Sequence, residues 1–241
     1  MTVISVDLAA RRYRDCGIAV LDGSSTSARV ELISPESIGL TGRPEPATLA
    51  KALATLAAAT GSSLILLDGP QGWRAAVSDV THMRLCERQT RTPGKTGVPH
   101  VVKPASWTLM AVFSIGVFDH LQELHWPRFT QEWVGDRRTV EIFPTHCWRE
   151  LGLTALPGKS STIGPLTQWM DSLSSFCDLQ WPHSPSHDEL QAVVGGLAGL
   201  AIGEHGLSSC SLAGREPFIE DGHWREGFIL SPKAPSVLAA S

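Results

Sequence analysis

"VISVDLAA", residues 3–10, decides the fold. Val3, Ile4 and Val6 have the β-branched shape of a buried strand. Asp7 closes that strand, and small residues follow it. An unpaired carboxylate is costly to bury, so an acid at a strand end asks for a reason. The pattern recurs. "LILLDGP", residues 64–70, ends its apolar run at Asp68, and "TVEIFP", residues 139–144, sets Glu141 between Val140 and Ile142.

Outward from that strand, Cys16–Gly23 and Ala28–Ser34 read as two more. The Gly/Ser turn "DGSSTS" joins them as a hairpin, and the three strands form a meander. Glu45–Thr60 reads as a helix: Leu49, Leu53 and Leu56 repeat at helical spacing, Pro46 suits its start and Gly61 its stop. "SLILLDG" then reads as a central strand buried on both faces. The strand–helix–strand step makes its flanking strands parallel.

Residues 71–137 are the least legible part, an insertion in an otherwise single domain spanning 1–241. Val77–Arg91 and Trp107–Leu124 are expected as helices, the second broken at Gly116, with a Gly/Pro loop "TRTPGKTGVPH" between them. "TVEIFP" is a short strand and "THCWRELG" a short helix. Gly158–Pro165 reads as a loop and Leu166–Phe176 as a helix. "PSHDELQAVVGGLAGLAIGEHG" is the last helix, with Ser186 and Glu189 as a capping box. Leu190, Val193, Val194, Leu197 and Ala201 share one face. Asp188, Ala192, Gly195 and Gly199 share the other, and interior glycines imply that something packs very close there. "HWREGFILSP" is a final strand or strand-like tail, and Lys233–Ser241 an end expected to fray.

The 241 residues carry 42% hydrophobic and 18% charged residues, an ordinary globular composition. A net charge of −4 excludes a general polyanion binder, so any nucleic-acid contact needs a local basic patch. Five cysteines without a C-x-x-C pair argue against a disulfide framework and for a reducing compartment. The N-terminus lacks the pattern of a secretory signal, and the longest apolar run, Ala192–Ile202, is too short to span a bilayer. The expectation is a cytoplasmic protein with no membrane partner; its oligomeric state is not legible.

Each acid has an ordinary explanation. Asp7 and Asp68 could begin turns, Glu141 could face solvent, and Asp188 could serve the helix dipole. Their joint occurrence points further. Strand ends on one edge of a parallel sheet share a crevice, where open α/β sheets bind ligands. Converging carboxylates repel unless a cation neutralises them. A set of hard oxygen ligands favours Mg²⁺ or Mn²⁺ over zinc. Such ions are a standard device for phosphodiester hydrolysis.

The motifs "VDLA" (6–9), "LDGP" (67–70), "EIFP" (141–144), "HDELQA" (187–192) and "REGFILSP" (225–232) span almost the whole chain. In that order they make the chain resemble RNase H-like nucleases and Holliday-junction resolvases. More closely, it resembles the domain of unknown function 429 family, whose members are predicted RNase H-like nucleases. The resemblance implies an α/β fold: a mixed sheet, with an antiparallel meander and then parallel strands, and helices on its faces. It implies a divalent-metal-dependent phosphodiester hydrolase acting on nucleic acid. Asp7, Asp68, Glu141 and Asp188 would be its catalytic and metal-binding residues. The family's last helix carries two acids three residues apart; here the second position is Gln191, which supplies no charge.

Arg84, Arg88, Arg91, Lys95 and Lys103 lie close in sequence with Glu87 as the one acid among them, and are candidate phosphate-binding residues. "TPGKTG" lacks the first glycine of a phosphate loop. His82, Cys86, His146 and Cys147 could be drawn as a zinc site, with nothing in the sequence to bring the pairs together. Two alternatives stand beside the nuclease reading. One is a Mg-nucleotide phosphotransferase or ATPase of the actin-like class, and the other a non-catalytic binding protein whose site has decayed.

Overall fold

The computed structural model describes residues 1–133, 136–161 and 164–234. The strands and helices run β1 (Thr2–Asp7), β2 (Gly17–Gly23), β3 (Ser27–Leu32), α1 (Pro46–Thr60), β4 (Leu64–Asp68), α2 (Leu85–Thr90), β5 (Lys95–Thr96), β6 (Val102–Lys103), α3 (Thr108–Glu123), β7 (Arg138–Ile142), α4 (Pro144–Glu150), α5 (Thr167–Ser174), β8 (Asp178–Gln180), α6 (His187–His205), β9 (Cys210–Glu220) and β10 (His223–Pro232).

One sheet of eight strands, in the order β8-β3-β2-β1-β4-β7-β10-β9, organises the chain. β2 is antiparallel to both β1 and β3, the expected meander. β4, β7 and β10 then follow β1 in parallel. β9 closes the far edge antiparallel to β10. This is the mixed α/β sheet, meander first and parallel strands after, that the motif order implies.

The sheet separates two apolar cores. Ile4, Val6, Ile65 and Leu67 pack with Leu49 and Leu53 of α1 and Phe113, Val117 and Phe118 of α3. Val3, Leu66, Val140 and Ile142 pack with Val193, Val194 and Leu197 of α6 and Trp148 of α4. Two-sided burial explains the unbroken apolar runs of β1 and β4. The small-residue stripe of α6 lies on the sheet as expected. A Cβ at Gly195 would stand 2.1 Å from Ile142 Cδ1, and one at Gly199 2.9 Å from Leu66 Cδ1.

Several expectations need correction. Only Leu85–Thr90 of the stretch Val77–Arg91 is helical. Before it, Arg74 ties the chain into a loop, its guanidinium donating to the carbonyls of Ala75 (2.9 Å) and Val80 (2.7 Å). α3 runs unbroken through Gly116, whose missing side chain admits Pro46 of α1: a Cβ would lie 3.0 Å from that ring. His223–Pro232 is the strand of the two alternatives expected, and its antiparallel partner β9, not expected from sequence, makes it half of a long hairpin. The loop at 158–165 contains one 3-10 turn, Lys159–Ser161; residues 162 and 163 lie outside the described residues. So does 235–241, which covers most of the end expected to fray. All five cysteines are free and buried. Among the described residues no helix is long and apolar enough to cross a membrane.

Candidate active site

β1 and β4 are parallel neighbours, and their register sets Asp7 beside Asp68 at the C-terminal ends of both. Residues in register on adjacent strands project from the same face. Val3, Ser5 and Leu66 of these strands meet α6, so the two acids lie on the α6 side. Both are half-buried. Asp7 donates a hydrogen bond to Asp68. Burial, and after it the charges of Asp68 and Asp188, push the Asp7 carboxyl well above its ordinary value. Burial also raises Asp68, to about 7; the bond from Asp7 opposes this and the charge of Glu141 adds to it. The pair therefore shares a proton near neutral pH.

Asp188 arrives from the first turn of α6. Its approach depends on Gly17, the residue of β2 paired with Asp7. A Cβ on Gly17 would stand 2.0 Å from the Asp188 carbonyl oxygen. Gly17→Ala is expected to push this helix end off the sheet. The cost expected from urea titration is about 1–3 kcal/mol, typical of overpacking, and a loss below 0.5 kcal/mol (roughly, the scatter of neutral surface changes) would count against the close approach. Half-burial pushes the Asp188 carboxyl up, but hydrogen bonds from His187 and Lys159 reverse this and hold it below the ordinary value. His187 Nδ1 lies 3.1 Å from Asp188 Oδ1, and its Nε2 lies 2.8 Å from the Pro157 carbonyl oxygen. With both ring nitrogens engaged, His187 orients Asp188.

Glu141 has a different setting. It is one position out of register with Asp68, so it projects from the opposite face. It is 3% exposed. Its two oxygens accept from Arg84 Nη1 and Nη2 at 2.7 Å each, and the Gln71 amide donates to it at 3.0 Å. The Arg84 Nε donates to Glu87 at 3.0 Å. Arg84, at 1% exposure, is thus spent on two carboxylates. The expectation that it holds phosphate gives way to a structural role, and Glu141 is occupied by the same pair. Sequence alone singled out Glu141 as anomalous but could not show that its partner lies 57 residues upstream.

A pocket of about 350 Å³ opens between these groups, lined among others by Asp68, Arg84, Glu87, Lys95, Trp107 and Glu141. Lys95 is half-buried and donates to the Thr92 carbonyl. Arg88, Arg91 and Lys103 are exposed. Trp107, which the sequence reading passed over, stands at the pocket 42% exposed. Tyr13, by contrast, is buried, its hydroxyl accepting from the Glu45 amide at 2.9 Å. The Gln191 side-chain oxygen accepts from Trp148 Nε1 at 2.9 Å, so it ties α6 to α4.

Asp7 feels the charges of Asp68 and Asp188, and Asp68 that of Glu141. Among the described residues no three His, Cys, Asp or Glu side chains are grouped to hold one metal ion, which also removes the zinc site. The Asp7–Asp68 pair fits a hard divalent ion that keeps several waters, since Mg²⁺ is usually held by one or two carboxylates.

No family model matches the chain, and no curated protein matches it. Among solved structures, it is similar to Thermus thermophilus RuvC, with 11% identity and a TM-score of 0.40 over 83% of this chain and 95% of that one. It is also similar to T. thermophilus RuvC in complex with Holliday junction substrate, with 10% identity and a TM-score of 0.44 over 89% and 99%. Likenesses this distant say nothing of substrate.

Proposed function

We propose that the chain is a divalent-metal-dependent phosphodiester hydrolase acting on nucleic acid. One observation carries this reading: Asp7 and Asp68 are held side by side at adjacent strand ends, where burial works against both charges and neighbouring carboxylates add to it, Asp68 and Asp188 at Asp7 and Glu141 at Asp68. Such an arrangement weakens the fold and is relieved by a cation. The motif resemblance to the domain of unknown function 429 family points the same way.

Asp7 and Asp68 would hold Mg²⁺ or Mn²⁺, which when bound polarises a phosphoryl oxygen and lowers the pKa of a water. Asp188, oriented by His187 and bridged to Lys159, is not grouped with the pair as a third ligand; its charge acts on Asp7 from outside. Glu141 fixes Arg84 at the base of the pocket, and its charge adds to the rise that burial gives Asp68. Arg88, Arg91, Lys95 and Lys103 remain as the basic groups for the phosphate backbone. The Mg-nucleotide alternative would need a glycine-rich hairpin at the acids, but the Gly/Ser turn "DGSSTS" lies at the opposite, Thr2 end of the sheet, since Asp22 pairs with Thr2 and Gly17 with Asp7.

The test is cleavage of labelled single-stranded, duplex and branched DNA and RNA, with Mg²⁺ or Mn²⁺, by the wild type and Asp7→Asn. The variant is expected to lose about 100-fold or more, some 2.7 kcal/mol of transition-state stabilisation. Divalent metal at about 100 times Kd should add about 2.7 kcal/mol to wild-type stability and much less to the variant. No cleavage of any substrate, or equal cleavage by both proteins, would end this reading.

A further inference from the structure

The pocket beside Asp68 has walls that a phosphate-handling site does not need. Leu8, Pro70, Pro93, Trp107, Met110 and Phe143 make it mostly apolar. At about 350 Å³ it lies at the small end of ligand pockets (roughly 300–1,000 Å³). Its base is a closed ion network, in which Arg84 bridges Glu87 and Glu141. Its most exposed aromatic is Trp107. Gly94 lets the loop backbone lie against that indole: a Cβ there would stand 2.6 Å from Trp107 Cε3. The ring is therefore backed on its loop side while it lines the pocket. Arg91 is the chain neighbour of the lining residue Thr92, whereas Lys103, next to the lining Val102, opens onto a separate cavity with Arg74 and His82. Arg91 and Lys103 are both exposed, and neither has an ion-pair or hydrogen-bonding side-chain partner among the described residues.

We propose that this pocket receives one nucleobase, unstacked from a strand whose phosphate lies at Asp68, with Trp107 as its stacking surface. The inference rests on the nuclease reading and specifies the form of its substrate. Three features meet here: an apolar slot with an exposed indole for a planar ring, the unpaired basic Arg91 next to its lining loop for a phosphate, and a shared residue, Asp68, joining the slot to the acid pair. Stacking a base on an aromatic side chain is worth about 1–3 kcal/mol. Drawing a base out of a duplex costs a few kcal/mol, and least where it is already unpaired. The substrate class is therefore nucleic acid that is single-stranded or locally unpaired at the nucleotide beside the acids.

The experiment uses the full chain without divalent metal, so that cleavage does not intervene. The probe is a single-stranded deoxyoligonucleotide with one internal 2-aminopurine, compared with the same strand abasic at that position. The wild type should quench the 2-aminopurine and bind the abasic strand about tenfold more weakly, or worse. Trp107→Ala, at an exposed position, should keep the wild-type melting temperature, lose the quenching and bind the intact strand about tenfold more weakly; Trp107→Phe should retain most of both. Adenosine monophosphate is the second probe. If it binds as tightly as the oligonucleotide, the pocket serves a free nucleotide and the strand inference is overturned. Equal affinity of wild type and Trp107→Ala for intact and abasic strands also overturns it. That result alongside metal-dependent cleavage lost in Asp7→Asn would leave the nuclease reading intact, whereas quenching without any such cleavage would remove the nuclease reading and leave a base-binding pocket.

Discussion

Arg84→Ala is expected to cost about 3–5 kcal/mol of stability, the usual result of removing one partner from a buried ion pair. A domain of this kind has only about 5–15 kcal/mol in hand, so the variant should stand close to its unfolding midpoint. The cause is local. Glu141 and Glu87 are 3% and 2% exposed, and Arg84 supplies the positive charge to both. Without it, two carboxylates face each other in a dry site. Acid should rescue the variant: burial raises the Glu141 carboxyl and Arg84 opposes that rise, so with the guanidinium gone Glu141 takes up a proton more readily, and the deficit should shrink below about pH 5 as a neutral group replaces the charge. Arg84→Met combined with Glu141→Gln should recover much of the loss, because no charge at position 141 is then stranded. Urea titrations at pH 4 and pH 8 check this. An equal deficit at both values, or one below 1 kcal/mol (about the worth of an exposed pair), would show that the network is not the support described.

The second large effect has the opposite sign. Asp68→Asn is expected to stabilise the metal-free protein at neutral pH. The folded state raises the Asp68 carboxyl from 3.8 to about 7, chiefly through burial. A raised folded pKa means that the native state binds the proton more tightly than the unfolded chain does. Stability is then undiminished below about pH 4, falls as the pH climbs towards 7, and stays at the lower level above that. Asparagine keeps an acceptor for the Asp7 hydroxyl and has no proton to lose. The advantage of the variant should therefore be near zero at pH 4 and grow to a plateau above pH 7. One pKa unit is worth about 1.4 kcal/mol, which caps the gain near ~4 kcal/mol; coupling to Asp7 makes about 2 kcal/mol a reasonable expectation. Denaturant titrations from pH 4 to 8 would contradict this if the two proteins kept a constant difference.

The parts of the fold that were legible owe it to two-sided or periodic burial. β1 and β4 read as apolar runs because helices cover both of their faces, and α6 announced its close contact through Gly195 and Gly199. β9 was missed because its burial follows no clean alternation and its partner is β10. The stretch before α2 was misread as helix because what organises it is a side chain, Arg74, gathering carbonyls, and a distant carboxylate. That carboxylate, Glu226, accepts from the amides of Ala75 and Leu85 at 3.1 Å each. Of the four acids, Asp7 and Asp68 could be paired from sequence, since parallel neighbours end together. Glu141 could not be resolved, because its face depends on a one-residue register and its partner on tertiary structure. Trp107 carried no local signal; only the cavity beside it gives it meaning.

The seating of α6 across β1 and β2 has a consequence for how the protein comes into being. Asp7 and Asp68 lie within the first 70 or so residues, but Asp188 follows Asp7 by about 180 positions. At a synthesis rate of about 5–20 residues per second, it trails by roughly 10–40 s. Contacts of such long sequence separation form late and slowly, since loop closure must precede their reward. A nascent chain therefore exposes the glycine-lined groove on its first strands before the helix that fills it exists. Until α6 docks, the third acid is missing, and the first two sit under no roof.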